Sequence, residues 1–214
     1  MTIKVYNLNR SRSHRVVWLL EELHIPYELI ALERDPISQR ATIEARSIHP
    51  LGKFPIIQDG PVTLSESGAI VEYIVKKYGR GRFAPDSESP HFASYLFWMH
   101  YAEGSFSLPL MLEFFQHRMK IDNAHLQHFC KDELQRHLEF IDAHLQSSLY
   151  FVGDQLSAAD VMMGFTLDFA EALGLLAPYA HIRSYLGRIG ERPAYKKAAV
   201  DSAYLKKEQI EKSR

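Results

Sequence analysis

The sequence predicts an α/β domain followed by an all-α domain, and three observations carry that prediction. Strand and helix periods alternate over the first 80 of the 214 residues. A stretch of glycine, proline and charge without periodicity follows, GRGRFAPDSESP from Gly79 to Pro90. Beyond it only helical spacing recurs. The partition is 1–80 for the α/β domain, 81–89 for a linker and 90–214 for the helical domain.

Ile3 to Leu8, IKVYNL, reads as a strand. From Ser13 to His24, apolar Val16, Leu19, Leu20 and Leu23 recur at helical spacing. Pro26 to Leu32 is a second strand, and Ser38 to Arg46 a polar helix. FPIIQDGPVTL sets two short apolar runs around Asp59-Gly60, a hairpin signal. SESGAIVEYIVKKYG places Ile70, Val71, Ile74, Val75 and Tyr78 on one helical side, with lysines in the last turn and Gly79 just after. The order is β-α-β-α-β-β-α. In the helical half, Leu126, Cys130, Leu134, Leu138, Ile141 and Leu145 form the stripe of a long amphipathic helix. Ser157 to Asp160, ahead of VMMGFTLDF, resembles a capping box with Asp in place of Glu.

Composition narrows the function classes. Formal net charge is -1 and the 25 basic residues are scattered, which argues against a nucleic-acid partner. The C-terminal YLKKEQIEKSR reads as a solvated tail. No apolar run approaches the roughly 18 residues of a membrane span, and IKVYNL follows the N-terminus without a signal-peptide core. A cytoplasmic location without membrane contact is the expectation. A single cysteine, Cys130, excludes an internal disulfide and a Cys-x-x-Cys pair, and its place in the apolar stripe marks it as a small buried hydrophobe. GRGRF lacks the spacing of a phosphate loop. Of the 11 histidines, His125 and His128 share a helix face and His137 and His144 lie two turns apart. None has zinc-site spacing, so no metal is expected and most of the histidines read as solvated.

Three segments can carry chemistry. NRSRSHR, Asn9 to Arg15, packs three hydroxyl or amide side chains and three arginines into a strand-to-helix junction. In an α/β domain ligands gather beyond the carboxyl ends of strands, where helix N-termini point free N–H groups outward. Ser11 or Ser13 is either a helix cap or a donor to something anionic, and neither has the surroundings of a nucleophile. In IHPLGKFPII, Phe54-Pro55 opens the third strand with a proline compatible with a cis turn, and Lys53 can meet a carboxylate. In LSESGAI, Ser65, Glu66 and Ser67 begin a helix; they cap it, or they answer both charges of an amino-acid headgroup.

Taken in order, S-R-S-H-R-V, H-P-L-G-K-F-P, S-E-S-G-A-I and L-S-A-A-D resemble the cytosolic glutathione transferases across essentially the whole chain. The junction is similar to that of the serine-type theta and phi classes. The resemblance implies a thioredoxin-like N-terminal domain that binds glutathione as co-substrate, with no separate cofactor. It also implies a helical domain lining the pocket of a small hydrophobic electrophile, and a homodimer. By the same resemblance Ser11, four residues before Arg15, activates the thiol, with Tyr6 and Ser13 as the alternatives. Beta-class members carry a cysteine at that point, which this chain lacks. Phe54 and Pro55 match residues pairing with the cysteinyl part of glutathione, Glu66 and Ser67 those holding its γ-glutamyl end, and Lys53 and Arg40 those facing its glycyl carboxylate. The implied activity is conjugation to hydrophobic electrophiles, with glutathione-dependent peroxide reduction beside it. A non-catalytic carrier of glutathione or apolar ligands, or an interaction module, is the alternative on the same fold. For the electrophile pocket the helical half offers Tyr95, Trp98, Met99, Phe106, Met111, Phe114 and Phe115, residues that equally suit a core or a dimer interface.

Overall fold

Strand β1 (Ile3–Leu8) forms where the sequence alternates, and its inward residues Ile3 and Val5 are buried while Lys4 between them is exposed. It belongs to a computed structural model that describes residues 2–38 and 40–202. The following elements are α1 (Ser13–Leu23), β2 (Tyr27–Leu32), α2 (Ala45–Ile48), β3 (Ile56–Asp59), β4 (Val62–Ser65) and α3 (Ser67–Tyr78). The helical half runs α4 (Phe92–Tyr101), a π-helical turn (Ala102–Phe106), α5 (Ser107–Met119), α6 (Ala124–Gln146), α7 (Ala158–Ala172), α8 (Ala180–Gly190) and α9 (Pro193–Asp201). The first seven elements keep the predicted order, the thioredoxin-like one that the resemblance implies. They build a four-stranded sheet, β2-β1-β3-β4.

One predicted element shrinks. The helix expected from Ser38 to Arg46 exists only at Ala45–Ile48. Asp35 explains why: its Oδ1 accepts the Ser38 N–H at 2.6 Å, and Arg34 bridges Ala41 in an antiparallel pair. Such side-chain bonds offer the backbone a turn instead of a helix. At the end of α3, Gly79 is not left-handed as glycine C-caps usually are. A Cβ there would lie 2.3 Å from the Val75 carbonyl oxygen, so glycine is needed for close approach.

The chain divides into two compact units, one of residues up to Arg82 joined by Gly190 onward, the other Phe83–Ile189. The sequence partition kept everything from 90 with the helices, whereas α9 packs on α1 in the first unit. Period alone cannot say which neighbour an amphipathic helix meets, and here aromatic and charged partners decide. The rings of Trp18 and His14 each meet Tyr195 edge-on at 4.9 Å. The Arg192 guanidinium grips both carboxylate oxygens of Glu22 at 2.5 and 2.8 Å. Covered by the sheet, α3 and α9, α1 buries every residue from Ser13 to Leu20, beyond the stripe its apolar period implies. Residues 204–214, the charged stretch read as a solvated tail, lie outside the described residues.

The Asp59-Gly60 hairpin forms as predicted, and Asp59 ties it to α3. Its Oδ2 accepts from Tyr78, Lys77 and Tyr73 at 2.6, 2.7 and 2.8 Å. In the second unit Asp160 plays the corresponding part. The capping box is present, and Asp160 accepts the Ser157 N–H and O–H, the Phe151 N–H and the Tyr185 hydroxyl. Cys130 is buried and takes a bond from Gln116, and burial raises its thiol pKa. Two histidines depart from the solvated majority and are partly buried: His137 bonds the Tyr101 hydroxyl and His144 the Phe151 carbonyl. Among the described residues no helix is long and apolar enough to cross a membrane.

His14 carries a pH prediction. Burial lowers its pKa from 6.5 to about 3, a hydrogen bond with Ala198 opposes that, and the Arg15 charge adds to it. The unfolded chain therefore binds a proton below pH 6.5 that the folded chain refuses, and stability is lost as pH falls from 6.5 toward 3. Between pH 7 and 5 this amounts to about 2 kcal/mol. Asp160, raised by burial to about 6 against the bonds it accepts, has the opposite slope, so the test is a comparison. Urea titrations at both pH values should show the native protein losing about 2 kcal/mol more than His14→Gln.

Candidate functional site

Strand direction decides which residues meet. β1 runs toward Leu8 and the junction Asn9–Ser13, and β3 pairs with it antiparallel, Tyr6 opposite Ile56. The residues entering β3, Phe54 and Pro55, therefore sit at the carboxyl end of β1. β4 pairs antiparallel with β3, Ser65 also opposite Ile56, so Glu66 and Ser67 leave the sheet at that same edge. All three segments singled out in the sequence are thus gathered, though they are some 40 and 10 residues apart in the chain.

Neither serine is the cap that the sequence offered: Arg12 is the N-cap of α1 and makes no side-chain cap bond, while Ser11 closes a local turn onto Ser13. Its Oγ accepts the Ser13 N–H at 3.2 Å and its hydroxyl donates to Ser13 Oγ at 2.9 Å. Ser11 is half-buried, while Ser13 is wholly buried, so Ser11 is the hydroxyl a ligand can reach. Tyr6, the other alternative, donates its hydroxyl to Gln58 at 2.7 Å across the sheet. Arg10 stands at φ 52 without being glycine, and the Arg34 side chain braces that turn. Its guanidinium reaches the Asn9 carbonyl at 2.9 and 3.1 Å and the Arg10 carbonyl at 3.1 Å.

The Phe54–Pro55 peptide is cis, with Phe54 half-buried and Pro55 buried. Lys53 just ahead is exposed. Glu66 is exposed at φ 73, an uncommon conformation for a residue with a Cβ, and its carbonyl accepts the Ile70 N–H at 2.9 Å as α3 begins. Ser67, only 4% exposed, accepts a 2.8 Å bond from Arg15 Nη1. Arg40 is exposed in the loop beyond β2, which the Arg34–Ala41 bridge folds back on itself.

Sequence reasoning did not assign a role to Arg15, Arg34 or Gln58, which hold the assigned residues in place. Arg15 alone left a signal, a charge among the apolar residues of α1. Among the described residues no cluster of three His, Cys, Asp or Glu side chains could hold a metal ion. The edge instead suits an extended anionic ligand. It offers hydroxyl and N–H donors at one end, the Phe54 backbone in the middle, and an acid beside a hydroxyl for a zwitterionic head.

Residues 1–76 match the family model of the glutathione S-transferase N-terminal domain, and residues 123–188 that of the C-terminal domain. Glutathione S-transferase 3 of Schizosaccharomyces pombe is 34% identical over 212 residues, covering 92% of this chain and 86% of its own. The crystal structure of a glutathione S-transferase from Actinobacillus pleuropneumoniae superposes with a TM-score of 0.86 at 30% identity, covering 94% of this chain and 93% of that one. A sphingomonad glutathione S-transferase complexed with glutathione shares the fold, with a TM-score of 0.78 at 21% identity over 94% of this chain and all (100%) of that one.

Since the Tyr6 hydroxyl serves the sheet, Tyr6→Phe is expected to cost about 1 kcal/mol of stability in a urea titration. Ligand binding at the junction is expected to be untouched; a binding loss larger than the stability loss would support the Tyr6 alternative.

Proposed function

The chain belongs to the glutathione S-transferase family and is a glutathione transferase, and from that premise we propose that it activates the glutathione thiol as a thiolate and conjugates it to hydrophobic electrophiles. The observation that carries the proposal is the accessible Ser11 hydroxyl at the start of α1, on the same sheet edge as Phe54-Pro55 and Glu66-Ser67. In this reading Ser11 redirects its proton from Ser13 Oγ to the sulfur. Phe54 offers its backbone to the cysteinyl unit, Glu66 and Ser67 hold the γ-glutamyl end, and Lys53 and Arg40 face the glycyl carboxylate.

The energies suffice. A free thiol titrates near 8.5, and lowering it by about 1.5 units takes about 2 kcal/mol of preference for the anion. One charge-assisted hydrogen bond contributes about 1.5–3 kcal/mol, and the N-terminal dipole of α1 adds to it. The thiolate then attacks the electrophilic carbon, forming the S–C bond as the leaving group departs with its electron pair. Against a hydroperoxide the same thiolate takes the terminal oxygen and releases an alcohol; a second glutathione converts the sulfenic acid to disulfide and water. Met111 and Phe114, half-buried on α5, and the exposed Phe115 are apolar side chains suited to the electrophile, whereas Tyr95, Trp98, Met99 and Phe106 are buried in the helical core. No cysteine stands at the junction, which favours thiolate chemistry over a mixed disulfide. A complete binding edge favours an enzyme over a carrier or interaction module.

We propose a cytoplasmic homodimer as its working form. Phe97 on α4 and Phe140 on α6, each 47% exposed, lie 6.0 Å apart. Phe97 also lines, with Leu96 and Tyr101, a recess of about 470 Å³. Exposed aromatic surface of this kind favours a protein partner.

Ser11→Ala tests the chemistry. Ultraviolet titration of bound glutathione should find thiolate near neutrality in the native protein and not in the variant. Conjugation should fall by one to two orders of magnitude with the urea midpoint preserved; unchanged activity would transfer the role to Tyr6 or Ser13. For assembly, Phe97→Glu should lower the sedimenting mass from dimer to monomer, and a native monomer would refute the dimer.

A further inference from the structure

Arg10 stands between the end of β1 and Ser11 at φ 52, a left-handed conformation that strains a residue with a Cβ. The Arg34 guanidinium donates to the carbonyls of Asn9 and Arg10 and so holds the turn in that shape. A second arginine thus maintains a strain that glycine would relieve, and strain of this kind gathers at ligand sites. The Arg10 side chain is exposed, and among the described residues nothing bonds or pairs with its guanidinium. The junction from Asn9 to Arg15 contains no acid. A fixed cation without a counter-charge, next to the candidate hydroxyl, suits an anion that a ligand brings.

Glutathione leaves that position unused. In the reading above its sulfur meets Ser11, its γ-glutamyl end meets Glu66 and Ser67, and its glycyl carboxylate meets Lys53 and Arg40. The electrophile, by contrast, has to come to the sulfur. Consecutive Cα atoms lie about 3.8 Å apart, so a molecule at the sulfur on Ser11 is within reach of the long side chain beside it. From these observations, and resting on the glutathione reading above, we propose that Arg10 is a specificity-determining residue that selects electrophiles carrying a carboxylate.

The charge acts on binding more than on the chemical step. As the S–C bond forms, the sulfur loses its negative charge and the leaving group takes the electron pair. A cation directed at the sulfur would favour the thiolate over the transition state and slow the attack. A cation on the electrophile's carboxylate keeps its partner throughout, so it lowers KM and leaves kcat nearly unchanged. Arg10→Gln would keep a Cβ and a donor but lose the charge, whereas Arg10→Lys would keep the charge.

Two electrophiles of nearly one shape test this: 4-chloro-3-nitrobenzoate and its neutral amide, 4-chloro-3-nitrobenzamide. In both the thiolate displaces chloride, and each rate is referred to the uncatalysed one. The native protein should favour the benzoate, and the preference should shrink as salt rises, because an exposed charge is screened. Arg10→Gln is expected to raise KM for the benzoate 10- to 30-fold with kcat within 3-fold, and to move neither constant for the amide by more than 3-fold. Arg10→Lys should stay within 5-fold of the native protein. The thiolate titration of bound glutathione should keep its native pH in both variants, with circular dichroism confirming each fold. A titration displaced to higher pH in Arg10→Gln would assign the cation to the sulfur and overturn the proposal. Equal losses with both electrophiles, or a native thiolate that shows no preference between them, would overturn it too and leave glutathione binding standing. A native protein that forms no thiolate would overturn the glutathione reading and this proposal with it.

Discussion

A hairpin whose first strand pairs antiparallel with β1 brings both its entry and its exit to the end of β1 where the chain turns into α1. Direction, more than any individual bond, assembles the candidate site. With Ile56 opposite both Tyr6 and Ser65, the residues flanking that row emerge at one edge of the sheet. Ile56 and Ile57 point to opposite faces of the strand and both are fully buried, so the hairpin is held by apolar contact on both sides. Asp59 holds the far end of the same hairpin through Tyr73, Lys77 and Tyr78. The hairpin is therefore fixed at its turn by hydrogen bonds and along its length by apolar contact, and the edge between Pro55 and Glu66 inherits that rigidity.

The second determinant is the burial of α1 on several sides at once. A surface helix would leave the Ser11 loop able to shift with each fluctuation of its first turn. Packing by the sheet, α3 and α9 removes that freedom, and the Glu22–Arg192 fork fastens α9 where the helix would otherwise face solvent. Arg34 supplies the remaining restraint from the β2 side by holding the carbonyls of Asn9 and Arg10. A donor aimed at an anion is more effective the less its surroundings must reorganise, and these contacts restrain the backbone that carries Ser11.

Local chemistry explains what was readable in the sequence. β1, α1, the Asp59-Gly60 hairpin, α3, the stripe of α6 and the Ser157–Asp160 box each carry their signal within a few consecutive residues. The segment after β2 misled because its period was weak, and the Asp35–Ser38 bond outweighed helix propensity. The place of α9 was illegible for a different reason: Tyr195 and Arg192 look like any amphipathic surface until Trp18 and Glu22 are known to face them. For the site the same division holds. Residues offered to a ligand stood out by type, while Arg15, Arg34 and Gln58, which act through residues far away in sequence, did not.

Titration behaviour would by itself point to the wrong places. His14 and Asp160 are strongly shifted ionisable groups, and a shifted group in a cleft is ordinarily a functional signal. Both, however, are wholly buried. The partners of Asp160 are the start of α7, the Phe151 backbone and a tyrosine of α8, with no accepting position left open toward solvent. His14 lies under Tyr195 and bonds Ser202 at the end of α9. Their shifts measure how completely the fold encloses them and concern stability. The role proposed for Ser11 rests instead on access, on a proton that can change partner, and on its position just ahead of a fixed helix. In this fold the candidate edge is distinguished by geometry, and burial accounts for the altered acids and bases elsewhere.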